Sequence, residues 1–194
     1  MVYKNRKKKI NRFQARKMIF ACLLMIYCAG LAAGCTYAVK SDFNIGNMLT
    51  DPLYENYRIM DKAQVFDYCV SFFMRDIICI CSVTVLKYSG ILKGFSIGVP
   101  FIFSVQNAGI YTMLLHSGQA NMFQLIFFYI LKDSAITFLL LMLCYVTASD
   151  IVQNRYDNRK DIKVLSVYCL GVLFIYVIDF AVKILIFPLQ SRLV

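Results

Sequence analysis

The sequence predicts an all-α integral membrane protein, a helical bundle with about five transmembrane helices, N-terminus in and C-terminus out. Three observations predict it. First, 60% of the 194 residues are hydrophobic and only 16% are charged, against about 25% charged in an ordinary soluble domain. A soluble fold of this size has too little interior for so much apolar surface. Second, apolar runs recur near the roughly 20 residues that a helix rising about 1.5 Å per residue needs to cross a hydrocarbon core about 30 Å thick. Third, no run alternates in the manner of barrel strands, and in lipid the backbone must pair within helices or a closed barrel.

Residues 1–17, "MVYKNRKKKINRFQARK", form a basic cytoplasmic arm holding 8 of the 21 Lys and Arg residues, which leaves 13 basic against 11 acidic residues elsewhere. The formal charge of +10 therefore belongs mostly to this arm. A basic run beside a span is a topology signal and a lipid-headgroup contact, so the lipid bilayer is the expected partner and nucleic acid is not. A single transmembrane domain over 18–188 follows, with spans at 18–39, 68–86, 91–115, 122–147 and 164–188 and a short outer tail at 189–194.

Orientation follows from the loops. With the N-terminus inside, the inner segments carry the arm, Lys87, Lys93, Arg155, Arg159, Lys160 and Lys163, whereas the outer ones carry only Lys40, Arg58, Lys62 and Arg192. The positive-inside rule favours this arrangement. The first span also matches a signal peptide in outline, ending in "AGLAAGC", with Cys35 then a lipidation candidate. Its apolar run of 22 residues is long for a signal core, so a retained span is expected. The outer loop 40–67 places Leu53, Tyr57, Met60 and Gln64 on one helical face, which suits an interfacial amphipathic helix. The inner loop 148–163 is polar, and its alternating charges are expected to be solvated and to cap helices.

Most of the eight cysteines, Cys22, Cys28, Cys79, Cys81, Cys144 and Cys169 among them, fall within apolar runs as small core residues. Cys35 and Cys69 both approach the outer face, where one bridge between them could form. No Cys or His spacing indicates a metal, and no cofactor is expected.

Charged and amide groups inside the spans carry the functional question. Each charge costs about 2.5–3.5 kcal/mol on insertion scales and normally faces protein or water. The second span holds Arg75 and Asp76, the third Gln106 and Asn107, the fourth Lys132 and Asp133, and the fifth Asp179 and Lys183. Helical rise places all eight between the outer surface and the midplane, leaving an inner half expected to be dry. Two arrangements fit. The groups are either four local compensations, with Asp179 and Lys183 a favourable i,i+4 pair, or one outer polar cluster in which Asp133 and Asp179 balance Arg75 and Lys183. The agreement in depth favours the cluster, which could line a vestibule or receive a partner helix.

Catalysis finds little support. The one histidine, His116, lies in a loop, and Ser134 beside Asp133 is no dyad because adjacent helical positions point about 100° apart. The chain is expected not to be an enzyme.

The stretch "SGILKGFSIGVP" at 89–100 is not a phosphate loop, since GxxxxGK[ST] is missing. Gly90, Gly94 and Gly98 repeat every four residues, and Gly30 and Gly34 form a second GxxxG on the first span; both are expected as close-packing helix faces. Pro100 is expected to kink the third span.

The segment "LKGFSIG", with the basic N-terminus, one longer outer loop, closely spaced later spans and the C-terminal "VIDFAVKILIFPL", resembles the stage II sporulation protein M family of bacterial membrane proteins. The resemblance implies a non-enzymatic component of the bacterial cell membrane that localises peptidoglycan-remodelling partners, such as cell-wall hydrolases, during engulfment in sporulation. Two functions remain beside each other. One is a membrane scaffold binding extracytoplasmic or membrane proteins. The other is a permease-like transporter subunit, a homo-oligomer with GxxxG faces at its interface.

Overall fold

The computed structural model describes residues 2–40, 62–89, 92–116, 130–153 and 155–190. The outer loop expected to be amphipathic, Gly90, the upstream part of the fourth span and the tail 191–194 lie outside the described residues, as do the side chains of Cys69, His116 and Lys183. The described residues form five α-helices, α1 Val2–Lys40, α2 Lys62–Tyr88, α3 Val99–His116, α4 Leu131–Val152 and α5 Asn158–Gln190, with a 3-10 segment at Leu92–Ile97 before α3. No strand occurs among the described residues. Among the described residues three stretches are long and apolar enough to cross a membrane, Lys17–Lys40, Leu131–Val152 and Asn158–Val182.

Local chemistry explains where the helices start. The Asp157 carboxylate accepts the Arg159 and Lys160 backbone N–H groups at 3.1 and 3.2 Å, capping α5. At α3 the expectation of a kink is corrected. Pro100 occupies the first turn, where its missing N–H has no helical partner to lose, so it begins the helix. The glycine stripe is corrected for the same reason. Residues 92–97 wind as a 3-10 helix at three residues per turn, so positions four apart do not share a face. A Cβ at Gly94 would meet nothing within 4 Å, and one at Gly98 only the Phe95 carbonyl at 3.3 Å.

The other glycine pair makes a contact. A Cβ at Gly30 would lie 1.9 Å from Ser104 Oγ and 2.6 Å from the Phe101 carbonyl oxygen. At Gly34 it would lie 2.4 Å from the Val105 carbonyl oxygen and 2.9 Å from Ala108 Cβ. The α1 backbone thus rests on the α3 backbone, and the two helices run parallel. Two other pairs run antiparallel: Asp76 meets Tyr176 and Lys87 meets Asp161 across α2 and α5, while Ser96 meets Cys144 and Tyr111 meets Asp133 across the 3-10 segment with α3 and α4. We call the end where α1 finishes and α2 begins the upper end.

The core lies around α4. Half of its span is buried inside the bundle, against 17% for the α1 span and 11% for that of α5, so α4 is the axis and the other two turn apolar faces outward. Ile80, Val83, Ile136, Leu140, Leu143, Cys144 and Val172 fill the centre at 2% exposure or less. The Cys144 thiol donates to the Ser96 carbonyl at 3.6 Å, holding the 3-10 segment against α4. Along α5, Val167, Leu170, Phe174 and Val177 are exposed by more than half, an arrangement that water penalises and hydrocarbon does not.

Candidate polar site in the helical bundle

Two polar layers are built into the bundle, about 16 Å apart along α2 by helical rise from Asp76 to Lys87. The upper layer draws on four helices. On α2, Arg75 Nε donates to Asp76 Oδ1 at 2.9 Å, with Nη2 2.8 Å from the same oxygen. Asp76 is fully buried, and its other oxygen accepts the Tyr176 hydroxyl of α5 at 2.6 Å. On α4, Lys132 and Asp133 are each 5% exposed, with Lys132 Nζ 3.6 Å from Asp133 Oδ1. The Tyr111 hydroxyl of α3 donates to Asp133 Oδ2.

Both cations also lie over aromatic faces. The Arg75 guanidinium is 4.7 Å from the Phe72 ring and 5.4 Å from that of Phe103. Lys132 Nζ is 5.0 Å from Phe72 and 4.8 Å from Tyr176. Such contacts are worth about 2 kcal/mol or more when desolvated. Two cations and two carboxylates leave the layer formally neutral. Ion pairing alone rarely repays desolvation, so the tyrosine hydroxyls and ring faces are what make the burial tolerable. Tyr176→Phe leaves an Asp76 oxygen without its donor, and a destabilisation of about 1–3 kcal/mol is expected in thermal melts of the purified chain.

The helical wheel separates the remaining sequence candidates. Asn107 is 2% exposed and faces the layer's helices, whereas Gln106, about 100° away, is exposed. The inward face at this turn of α3 is taken by Asn107 and Ala108, so Gln106 does not join the layer. Asp179 is half-buried one turn beyond Tyr176. Its expected partner Lys183 has a side chain outside the described residues. Asp133 is balanced by Lys132 and Arg75 by Asp76, its chain neighbour, rather than by the pairing expected across helices. Ser134 points away, its hydroxyl donating to the Ile130 carbonyl at 2.6 Å.

The lower layer corrects the expectation of a dry inner half and a solvated loop. Lys87, at the end of α2, is 2% exposed and donates to Asp161 of α5 at 2.6 Å and to Asp150 of α4 at 3.2 Å. The Tyr88 hydroxyl donates to the same Asp161 oxygen, and Lys160 Nζ is 3.8 Å from Asp150. Burial, and then the Asp161 carboxylate, push the Tyr88 phenol up to about 12. Asp150 and Asp161 were not distinguishable in sequence from neighbouring loop charges. The available signal is that both sit one turn inside a helix end, opposite a lysine that closes the second span.

Cys35 is a free thiol that accepts a hydrogen bond from Thr112 Oγ1 at 3.4 Å, and the side chain of Cys69, the partner expected for a bridge, lies outside the described residues. Among the described residues no group of three or more His, Cys, Asp or Glu side chains could hold a metal ion. No family model, curated protein or solved structure matches this chain.

Proposed function

We propose that the chain is a five-span scaffold of the bacterial cell membrane, N-in and C-out, that holds extracytoplasmic or membrane partners in place and catalyses no reaction itself. In this reading α2 and α3 cross the bilayer with α1, α4 and α5. The basic residues Lys93, Arg155, Arg159 and Lys163 are exposed at the lower end, which by the positive-inside rule supports a cytoplasmic side there.

One observation carries the reading: each polar layer is closed by its own countercharges, and among the described residues no charged side chain is buried at the level between them. Between Asp76 and Lys87 the core is mainly Ile80, Val83, Leu140, Leu143, Cys144 and Val172, and the buried Ser96 and Ser104 hydroxyls donate to the Lys93 and Phe101 carbonyls of their own segments. A solute path would need polar or wet surface through that level. A bundle riveted at two heights is suited instead to presenting fixed outer surfaces. The envelope role, the localisation of cell-wall-remodelling partners during sporulation engulfment, rests on the family resemblance of "LKGFSIG".

Crosslinking from the outer loop in native membranes is expected to capture an extracytoplasmic cell-wall protein that copurifies with the tagged chain. Capture of none, together with loss of a solute's uptake on Asp133→Asn, would replace the scaffold with the permease-like subunit.

A further inference from the structure

Four polar atoms around the upper layer have no hydrogen-bond partner among the described residues: Arg75 Nη2, Asn107 Oδ1, Asp133 Oδ1 and Thr137 Oγ1. Their residues lie on three packed helices, α2, α3 and α4. The Tyr111 hydroxyl joins α3 to α4 at Asp133. One turn below Tyr111 on α3 is Asn107, and one turn below Asp133 on antiparallel α4 is Thr137. Asn107 is 2% and Thr137 8% exposed. Arg75 enters from α2, with its guanidinium 5.4 Å from the ring of Phe103, one turn below Asn107.

Local alternatives do not satisfy these atoms. Lys132 Nζ, 3.6 Å from Asp133 Oδ1, is beyond hydrogen-bond reach. Arg75 Nη2 is an ion-pair neighbour of Asp76, but it is Nε whose N–H aligns with that carboxylate.

We propose that Arg75, Asn107, Asp133 and Thr137 form a binding site for one ordered water molecule between α2, α3 and α4. The donor and acceptor inventory matches water. Asp133 Oδ1 and Asn107 Oδ1 accept its two protons, and Arg75 Nη2 and Thr137 Oγ1 donate to its two lone pairs. Buried waters typically make about three such bonds. A sodium ion would find three oxygens here but fits worse on two counts. It would add an unbalanced charge to a layer that is already neutral, beside two cations, and it accepts nothing from Arg75. The water links the Asp76–Tyr176 pair to the Tyr111–Asp133 pair, so that the layer spans the bundle as one network. The site does not depend on which partners the scaffold holds.

The test uses the full chain in lipid nanodiscs, solved at a resolution that shows ordered solvent. A single peak within hydrogen-bonding distance of at least three of the four atoms is expected. A direct contact between Asn107 and Asp133 or Thr137 would overturn the proposal. Thermal melts give a second readout. Asn107→Leu and Thr137→Val each lower the melting temperature, and because both lose the same water the double variant falls by less than the sum. Additive shifts would mean that the two side chains share no ligand. The unmodified chain is expected to melt at the same temperature in sodium chloride and N-methylglucamine chloride; a sodium-specific rise absent from Thr137→Val would make the site a cation site. The structure and salt comparison of the unmodified chain decide the matter if either variant fails to fold.

Discussion

Lys87→Met destabilises the chain by about 3–5 kcal/mol, the loss that follows when one partner of a buried ion network is removed. Lysine and methionine have similar unbranched stems, so the lesion is electrostatic and not a cavity. What remains is two carboxylates, Asp150 and Asp161, at about a tenth exposure and facing the site that Lys87 Nζ occupied at 3.2 and 2.6 Å. Lys160, half exposed and 3.8 Å from Asp150, cannot replace a buried ammonium that touches both. At roughly 2–4 °C per kcal/mol for a chain of this length, the melting temperature in detergent falls by about 10 °C. The triple variant Lys87→Met, Asp150→Asn and Asp161→Asn recovers most of that loss, because neutral groups need no counterion. A melting temperature within about 2 °C of the parent for Lys87→Met would show that the layer is dispensable and that α2, α4 and α5 are held by apolar packing alone.

Gly34→Leu separates α1 from α3. Even the first carbon of a side chain would lie 2.4 Å from the Val105 carbonyl oxygen and 2.9 Å from Ala108 Cβ, and a backbone carbonyl cannot rotate aside. Overpacking of this kind costs about 1–3 kcal/mol and sometimes more. The matched control is Gly94→Ala, where nothing lies within 4 Å, and its effect is expected within about ±0.5 kcal/mol. Thr112→Cys reports the packing directly, because Thr112 Oγ1 stands 3.4 Å from Cys35 Sγ. Oxidation is expected to bridge Cys35 to the new cysteine efficiently with Gly34 present and poorly with leucine there. Equal bridging in both backgrounds would mean that the α1–α3 contact tolerates a side chain.

The contrast between the two glycine motifs shows how far a pattern reaches. Gly30 and Gly34 are embedded in a continuous helix, so a four-residue spacing becomes a face, and that face meets another backbone. Gly94 and Gly98 have the same spacing, but Gly94 lies in the 3-10 segment Leu92–Ile97, which winds with three residues per turn, and Gly98 in the turn before α3. The spacing was visible in both cases; the winding was not. Similarly, the depth of Arg75, Asp76, Asn107, Lys132 and Asp133 was legible from helical rise, but their partners were not. Tyr111 and Tyr176, which supply the layer's interhelical hydrogen bonds, looked like ordinary aromatic residues of apolar spans. Lys87 looked like a loop marker of topology, and Asp150 and Asp161 like solvated charges, because local sequence does not reveal that three helix ends converge.

The sequence by itself determined a helical chain rich enough in apolar residues for a membrane, with its charges gathered at particular depths. Those properties depend on composition and on rise per residue, which run along the chain. Only the tertiary structure decided which groups meet, because that depends on the rotation of each helix about its axis. A turn of about 100° exposes Gln106 and buries Asn107. The same geometry sets Gly30 and Gly34 against α3 and closes Lys87 between two carboxylates.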